Sequence, residues 1–196
     1  MSRFRNNSKP TKASSLRLIG GKHRGRKLPI PALDGLRPTS DRIRETLFNW
    51  LQFNVPGARI LDLFAGTGAL GLEALSRGAS EAIFVEPQQV AANAIGESLH
   101  MLGQTNASVI HQSSERFLST SPSPFDLVFI DPPFALDLWQ GALNSLCQQN
   151  WLKEDALVYV ECPKNQLFDI PDALSVVKDK TAGQVRYRLL KNTVAS

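Results

Sequence analysis

A doubly wound α/β domain with a mostly parallel sheet is what this sequence predicts, and three observations predict it. The runs ARILDL, EAIFV, FDLVFI and ALVYV are nearly continuous apolar stretches, the pattern of strands covered on both faces. Segments of helical period separate them, so strand and helix alternate along the chain. The first run closes on a glycine-rich turn, Gly66-Thr67-Gly68-Ala69-Leu70-Gly71, that opens the helix after it.

The elements follow in order. Residues 1–15 are rich in Ser, Asn, Lys and Pro without apolar periodicity, so burial cannot offset their ordering entropy, and a disordered basic arm is expected there. Leu16 to Ile19 and Arg26 to Ile30 are strand-like runs around Gly20-Gly21 and Gly25, which predicts a hairpin presenting Lys22, His23, Arg24, Arg26 and Lys27 outward. Thr39 or Ser40 can cap a helix whose apolar stripe is Ile43, Leu47, Phe48 and Leu51, with Arg42, Arg44 and Glu45 on its other face. From Arg59 the alternation runs strand 59–63, helix 68–77, strand 82–86, helix 88–102, strand 107–111, short helix 114–118, strand 125–130, helix 136–148 and strand 156–161. The runs Leu174 to Lys180 and Gln184 to Leu190, joined around Ala182-Gly183, predict an antiparallel hairpin at a sheet edge. The organisation expected is an arm (1–15), a hairpin-and-helix extension (16–54) and a main α/β domain (55–196).

Composition limits the function. The 196 residues suit one main domain. No apolar run is long enough to cross a membrane, and the basic, polar start lacks a secretory segment, so a cytoplasmic location is expected. Two isolated cysteines and three scattered histidines imply neither a disulfide framework nor a metal site. The net charge of +4 conceals an asymmetry: residues 1–33 carry 9 of the 22 basic residues and no acid, leaving 13 basic against 18 acidic residues elsewhere. A basic arm on an acidic body points to a polyanion, because each cation that neutralises a phosphate releases counterions.

Gly66, Gly68 and Gly71 satisfy a G-x-G-x-x-G pattern, which suits either a dinucleotide or S-adenosylmethionine. Glu86, ending the next strand, is placed to accept hydrogen bonds from a ribose diol of either ligand. Asp62 separates the two, since an acid before the turn repels a pyrophosphate but suits a cationic amino group. The stretch from Asp62 through Phe64, Ala65, Gly66, Thr67 and Gly68 to Glu86 and Pro87 resembles the first cofactor motifs of class I methyltransferases. That resemblance implies a Rossmann-like, mostly parallel seven-stranded sheet, S-adenosylmethionine as cofactor, and an adenine contact at Ser113 and Ser114, where the family more often has an Asp and a small residue.

Asp131-Pro132-Pro133-Phe134 follows the strand 125–130, at the carboxyl end where open α/β sheets place ligands. Adjacent prolines withhold two N–H groups and leave carbonyls free to accept from another donor. An amine delocalised into a ring must turn towards tetrahedral to take a methyl group, and fixed acceptors stabilise that geometry. Asp131, which also borders the cofactor, and the Pro132 carbonyl are therefore assigned to the two N–H bonds, with Phe134 stacking on the base. The tetrapeptide resembles the Asp/Asn-Pro-Pro-aromatic motif of methyltransferases acting on adenine N6, guanine N2 or protein glutamine. Cys162 is read as a small, partly buried residue rather than a nucleophile, since it lacks a basic activating neighbour in sequence.

The segments GGKHRGRKLP (20–29) and RPTSDRIRETLFNWL (37–51), followed by DLFAGTGALGLEALSRGA and DPPF, resemble the bacterial ribosomal RNA small subunit methyltransferase D family over nearly the whole chain after residue 15. The resemblance implies a monomer that methylates N2 of a loop guanine, guanine 966 by the family's type, in 16S ribosomal RNA of an assembled or nearly assembled small subunit. Arg37, Thr39 and Arg42 are expected beside the cofactor or target pocket. The rival readings are an adenine-N6 or protein-glutamine methyltransferase, a nicotinamide-dependent oxidoreductase, for which no hydride chemistry is evident, and an RNA-binding assembly factor without catalysis.

Overall fold

The computed structural model describes residues 15–31 and 40–194. Residues 1–14 of the expected arm, together with Arg37 and Thr39, lie outside the described residues. Strands β1 (Ser15–Arg17) and β2 (Lys27–Pro29) pair antiparallel with Leu16 opposite Leu28, and both leucines point into the core. The Ser40 hydroxyl accepts the Ile43 N–H and caps α1 (Asp41–Trp50). The alternation continues through β3 (Arg59–Asp62), α2 (Ala69–Ser76), β4 (Glu81–Val85), α3 (Gln89–Met101), β5 (Ala107–Ile110), α4 (Ser114–Leu118), β6 (Phe125–Ile130) and α5 (Trp139–Gln148). It closes with β7 (Leu152–Pro163), β8 (Leu174–Ala182) and β9 (Val185–Asn192).

The seven-stranded sheet runs β5-β4-β3-β6-β7-β9-β8. Its first five strands are parallel, and β9 is antiparallel to both β7 and β8. This is the architecture of class I S-adenosylmethionine-dependent methyltransferases. Strand order reverses between β3 and β6, and the crevice at such a reversal, outside the carboxyl ends of the strands, is where open α/β sheets hold ligands. One core cluster unites one face of the sheet with residues of the β1–β2 hairpin, α1, α2 and α3; the other, built around Phe117, Leu143 and Trp151, joins the opposite face to α4 and α5.

Three sequence expectations need correction. Arg44 was expected on the solvent face of α1 and is instead buried. Its Nη2 donates to Asp41 Oδ1 (2.6 Å) and to the Arg17 carbonyl (2.9 Å), and its Nη1 lies 3.8 Å from the buried carboxylate of Glu73. Glu73 also accepts from the Ile19 N–H (2.9 Å) and from Arg77 Nε (2.8 Å), so one buried acid ties hairpin, α1 and α2 together. Helix α5 begins at Trp139 rather than residue 136, because Asp137 adopts φ 47°, outside helical geometry. Strand β7 extends beyond both ends of the expected 156–161, with Asp155 at φ 58° absorbing the irregularity in its pairing to β6.

Helix α2 is buried on every face, and Gly71 is the reason it can seat so closely. A Cβ built there would stand 2.2 Å from the ring of Phe84 on β4, an aromatic core residue fixed by packing. Gly71→Ala is therefore expected to destabilise the fold by about 1–3 kcal/mol through overpacking, read as a lower urea midpoint with unchanged slope.

Candidate active site

Parallel strands that end together bring their terminal residues into one crevice. Asp62 ends β3, Glu86 follows β4, Asp131 follows β6, and Glu161 lies near the end of β7. The glycine turn crosses above β3 with Gly66 at φ 53° and Gly68 at φ 74°, a left-handed backbone that glycine adopts without steric cost. Gly68 offers α2 no side-chain cap, and the buried Asp62 carboxylate takes that role by accepting the Gly71 N–H at 2.9 Å. Glu86 holds the turn from the other strand: Oε2 accepts the Gly66 N–H and Oε1 the Gln88 N–H, each at 2.8 Å.

Around this frame, Ala65 is buried and Phe64 and Thr67 are half-buried in the turn. Pro87 is exposed, with its carbonyl 3.0 Å from His111 Nε2. Ser113 caps α4 by accepting the Arg116 N–H, and the buried Ser114 hydroxyl donates to Glu115. The predicted cofactor residues on β3, β4, β5 and β6 thus all stand at the carboxyl end of the sheet.

The electrostatics of this end favour a cation. Burial pushes the Asp62 carboxyl up to about 7; the Gly71 N–H opposes the shift and the charges of Asp131 and Glu86 add to it. Burial also raises Glu86, against the pull of the Gln88 and Gly66 amides. Glu161 is pushed up to about 8, chiefly by burial and then by the charge of Asp131, while the Tyr159 hydroxyl, donating to Oε2 at 2.8 Å, works the other way. S-adenosylmethionine carries positive charge on its sulfonium and its amino group, whereas a pyrophosphate would add negative charge to acids already crowded together. The residues present therefore fit S-adenosylmethionine.

In the Asp131-Pro132-Pro133-Phe134 turn, Pro132 is buried, Asp131 half-buried, and Pro133 and Phe134 exposed. Phe134 rests against Trp139 with ring centroids 6.0 Å apart, and Trp139 stacks on Phe168 at 6.2 Å. Trp139 Nε1 also donates to the Glu161 carbonyl at 2.8 Å, so the aromatic wall behind the turn is anchored to β7. Asp131 and Glu161 directly follow the register partners Ile130 and Val160 on neighbouring strands. Glu161 and Tyr159 escaped the sequence reading, although an acid ending an apolar strand was the same signal that identified Glu86. Cys162 is fully buried, not partly, and burial pushes its thiol up, away from nucleophile character.

The basic hairpin residues lie elsewhere. The Lys22 N–H donates to the Ser76 carbonyl (2.6 Å) and the His23 N–H to the Ser76 hydroxyl (3.0 Å). Ser76 ends α2, whose other end carries the glycine turn, and eight helical residues separate the two by about 12 Å. Lys22, Arg24, Arg26 and Lys27 are exposed there, His23 is half-buried, and Arg42 is exposed on α1. The structure does not bring the hairpin tip to the DPPF turn.

A protein family described as "Conserved hypothetical protein 95" matches residues 16–191. Ribosomal RNA small subunit methyltransferase D of Haemophilus influenzae is 45% identical over 187 residues, covering 93% of this chain and 97% of its own. The protein of the same name from Escherichia coli K12 is 46% identical over 184 residues, covering 92% and 93%. The chain belongs to the ribosomal RNA small subunit methyltransferase D family. The solved structure of a methyltransferase, yhhF, from Escherichia coli superposes with a TM-score of 0.86 at 42% identity, covering 92% of this chain and 99% of its own. The activity common to the named relatives is methyl transfer to ribosomal RNA of the small subunit, and the chain is a ribosomal RNA methyltransferase of this kind. No helix among the described residues is long and apolar enough to cross a membrane.

The buried acid of β7 gives this site a stability signature. A carboxyl raised in the folded state binds more protons folded than unfolded, so its contribution is full below the ordinary value of 4.5 and is lost as pH rises through about 8. Glu161→Gln is expected to flatten the fall in stability between those two pH values, measured by urea denaturation across the range; an unchanged slope would place the titration elsewhere.

Proposed function

We propose that this family member transfers the methyl group of S-adenosylmethionine to the exocyclic N2 amine of one guanine in 16S ribosomal RNA, guanine 966 by the family's type, acting as a monomer on the small subunit in the cytoplasm. The observation that carries the reading is the DPPF turn at the end of β6, one strand from the glycine turn at the end of β3. Two prolines and one carboxylate in that position make a preformed acceptor site for an amine beside a cofactor site.

S-adenosylmethionine supplies an electrophilic methyl group on a sulfonium. The residues around it bind and orient. The backbone from Phe64 to Gly68 would hold the methionine part, with Asp62 supplying negative charge to its amino group. Glu86 would accept from the ribose hydroxyls, and Pro87, Ser113 and Ser114 would hold the adenine. The Asp131 carboxylate and the Pro132 carbonyl accept the two N–H bonds of the target amine, and the Phe134 ring stacks on the base, held in place by Trp139. As the methyl arrives the amine becomes acidic, and its proton leaves through Asp131 or water. A base must leave its stack to reach such a pocket, which is least costly in a single-stranded loop. Lys22, His23, Arg24, Arg26 and Lys27, with Arg37, Thr39 and Arg42, are the residues we assign to RNA contact.

Asp131→Ala is expected to lower methyl transfer to small subunits from a deletion strain by about a hundredfold or more while leaving S-adenosylmethionine affinity within about twofold. Calorimetry and labelled-methyl transfer separate the two, and joint loss of both would show that Asp131 is misplaced as the acceptor of the target amine. Mass mapping of the modified nucleotide tests the base and the atom: methylation of adenine, or of any guanine position other than N2, overturns the assignment.

A further inference from the structure

The charge of this chain is not confined to its first 33 residues. The β8–β9 hairpin, residues 174–192, holds Lys178, Lys180, Arg186, Arg188 and Lys191 against the single acid Asp179. Arg186 is paired with Asp179 and Lys191 with Asp155, and Arg188 is buried. Lys178 and Lys180 are exposed and make no ion pair among the described residues.

Register settles where these two lysines stand. Lys178 is opposite Leu189 and Lys180 opposite Tyr187, and both partners belong to the core cluster on the α1 side, so both lysines lie on that face about 7 Å apart. The Lys180 ammonium is 5.7 Å from the ring centre of the half-buried Trp50, which in turn stacks on Tyr187 at 5.4 Å. Phe53, 87% exposed, follows three residues after Trp50. Unneutralised cations set beside aromatic rings are the combination that binds single-stranded nucleic acid, the cations following phosphates and the rings taking bases.

Position in the sheet ties this surface to catalysis. Tyr187 is opposite Glu161 and Val185 opposite Pro163, so the turn of the hairpin stands at the carboxyl end of β7, the end that carries the DPPF turn. From β6 to β8 is three strand spacings, about 14 Å, so Lys180 lies a short backbone run from Asp131. The Lys22–Arg24 tip, by contrast, is at the far end of α2.

We infer that Lys178 and Lys180, with Trp50 beside Lys180 and the exposed Phe53 three residues after Trp50, form an RNA-binding surface that holds the single strand adjoining the target nucleotide. The inference rests on ribosomal RNA as the substrate. The two lysines neutralise phosphates, and the rings take an unstacked base.

The test compares wild type with a Lys178→Gln/Lys180→Gln double variant in filter binding to deproteinised 16S ribosomal RNA over a range of KCl concentrations. Two lost phosphate contacts on a single strand predict an affinity about tenfold lower near physiological salt, and a salt slope shallower by about 1.4. S-adenosylmethionine affinity stays unchanged, and for methyl transfer to small subunits KM rises while kcat is kept. A Lys153→Gln/Lys191→Gln control, removing lysines paired to Asp126 and Asp155, leaves the slope near wild type. An unchanged slope and KM in the first double variant overturns the inference. So does a defect seen with intact subunits but not with bare RNA, which would assign the surface to a ribosomal protein. Failure of wild type to methylate subunits would instead overturn the proposed function, since filter binding reads the lysines without any transfer.

Discussion

The hydrogen bond from the Gly71 amide into the buried Asp62 carboxylate is the contact on which the rest of the site depends. It exists because Gly71 has no Cβ to strike Phe84, so α2 can settle onto β3 and β4 with its first turn within reach of Asp62. A negative group at a helix N-terminus is favoured by the helix dipole and by unsatisfied amides, and Asp62 answers both where Gly68 offers no side chain. Helix α2 then acts as a strut. The glycine turn hangs from its start, Glu73 in its second turn takes up α1 and the hairpin, and Ser76 at its end receives the hairpin tip. A shift of Asp62 would be felt at all three places.

The second constraint follows from the first. Parallel strands that finish level with one another necessarily crowd whatever ends them, and here the chain ends four of them in or near acids. Three of these, Asp62, Glu86 and Glu161, have carboxyls raised by burial, and they are costly to ionise together. A fold keeps such a cluster only where something gains from it. A cationic cofactor recovers part of that cost on binding. A proton held on Glu161 keeps a second full charge from forming next to Asp131, the acceptor through which the proposed transfer runs.

Local chemistry made much of this legible before the structure. The strands announced themselves as apolar runs, and Gly66 to Gly71 and the DPPF turn act through backbone geometry that adjacent residues dictate. What the sequence concealed depends on distant partners. Arg44 has the spacing of a solvent-facing helix residue and is buried because Glu73, 29 positions later, is buried opposite it. The early end of β7 contains Lys153, Glu154 and Asp155 and lies outside the apolar run from which the strand was expected, yet Asp155 takes a left-handed conformation that lets the strand continue. The charge split along the chain marks the basic start but averages the β8–β9 hairpin into an acidic body; only pairing with β7 puts that hairpin at the carboxyl end of the sheet, beside the DPPF turn.

That placement bears on how one nucleotide is chosen. On the function proposed above, the acceptors of the DPPF turn suit any exocyclic amine, so they cannot by themselves distinguish one guanine from the many others in 16S RNA. Phosphate contacts carry no sequence information, but they set register and orientation. On the readings proposed above, basic residues lie at two ends of one face: the hairpin tip at the C-terminal end of α2, and Lys178 and Lys180 beside the crevice, with exposed Arg42 on α1 in the same layer. An RNA that engages both ends must have a fold matching their separation, and only the loop held between them delivers its base to Asp131. Selection of the nucleotide is then a matter of RNA shape measured against two anchors, with the catalytic turn judging only whether the delivered group is an amine.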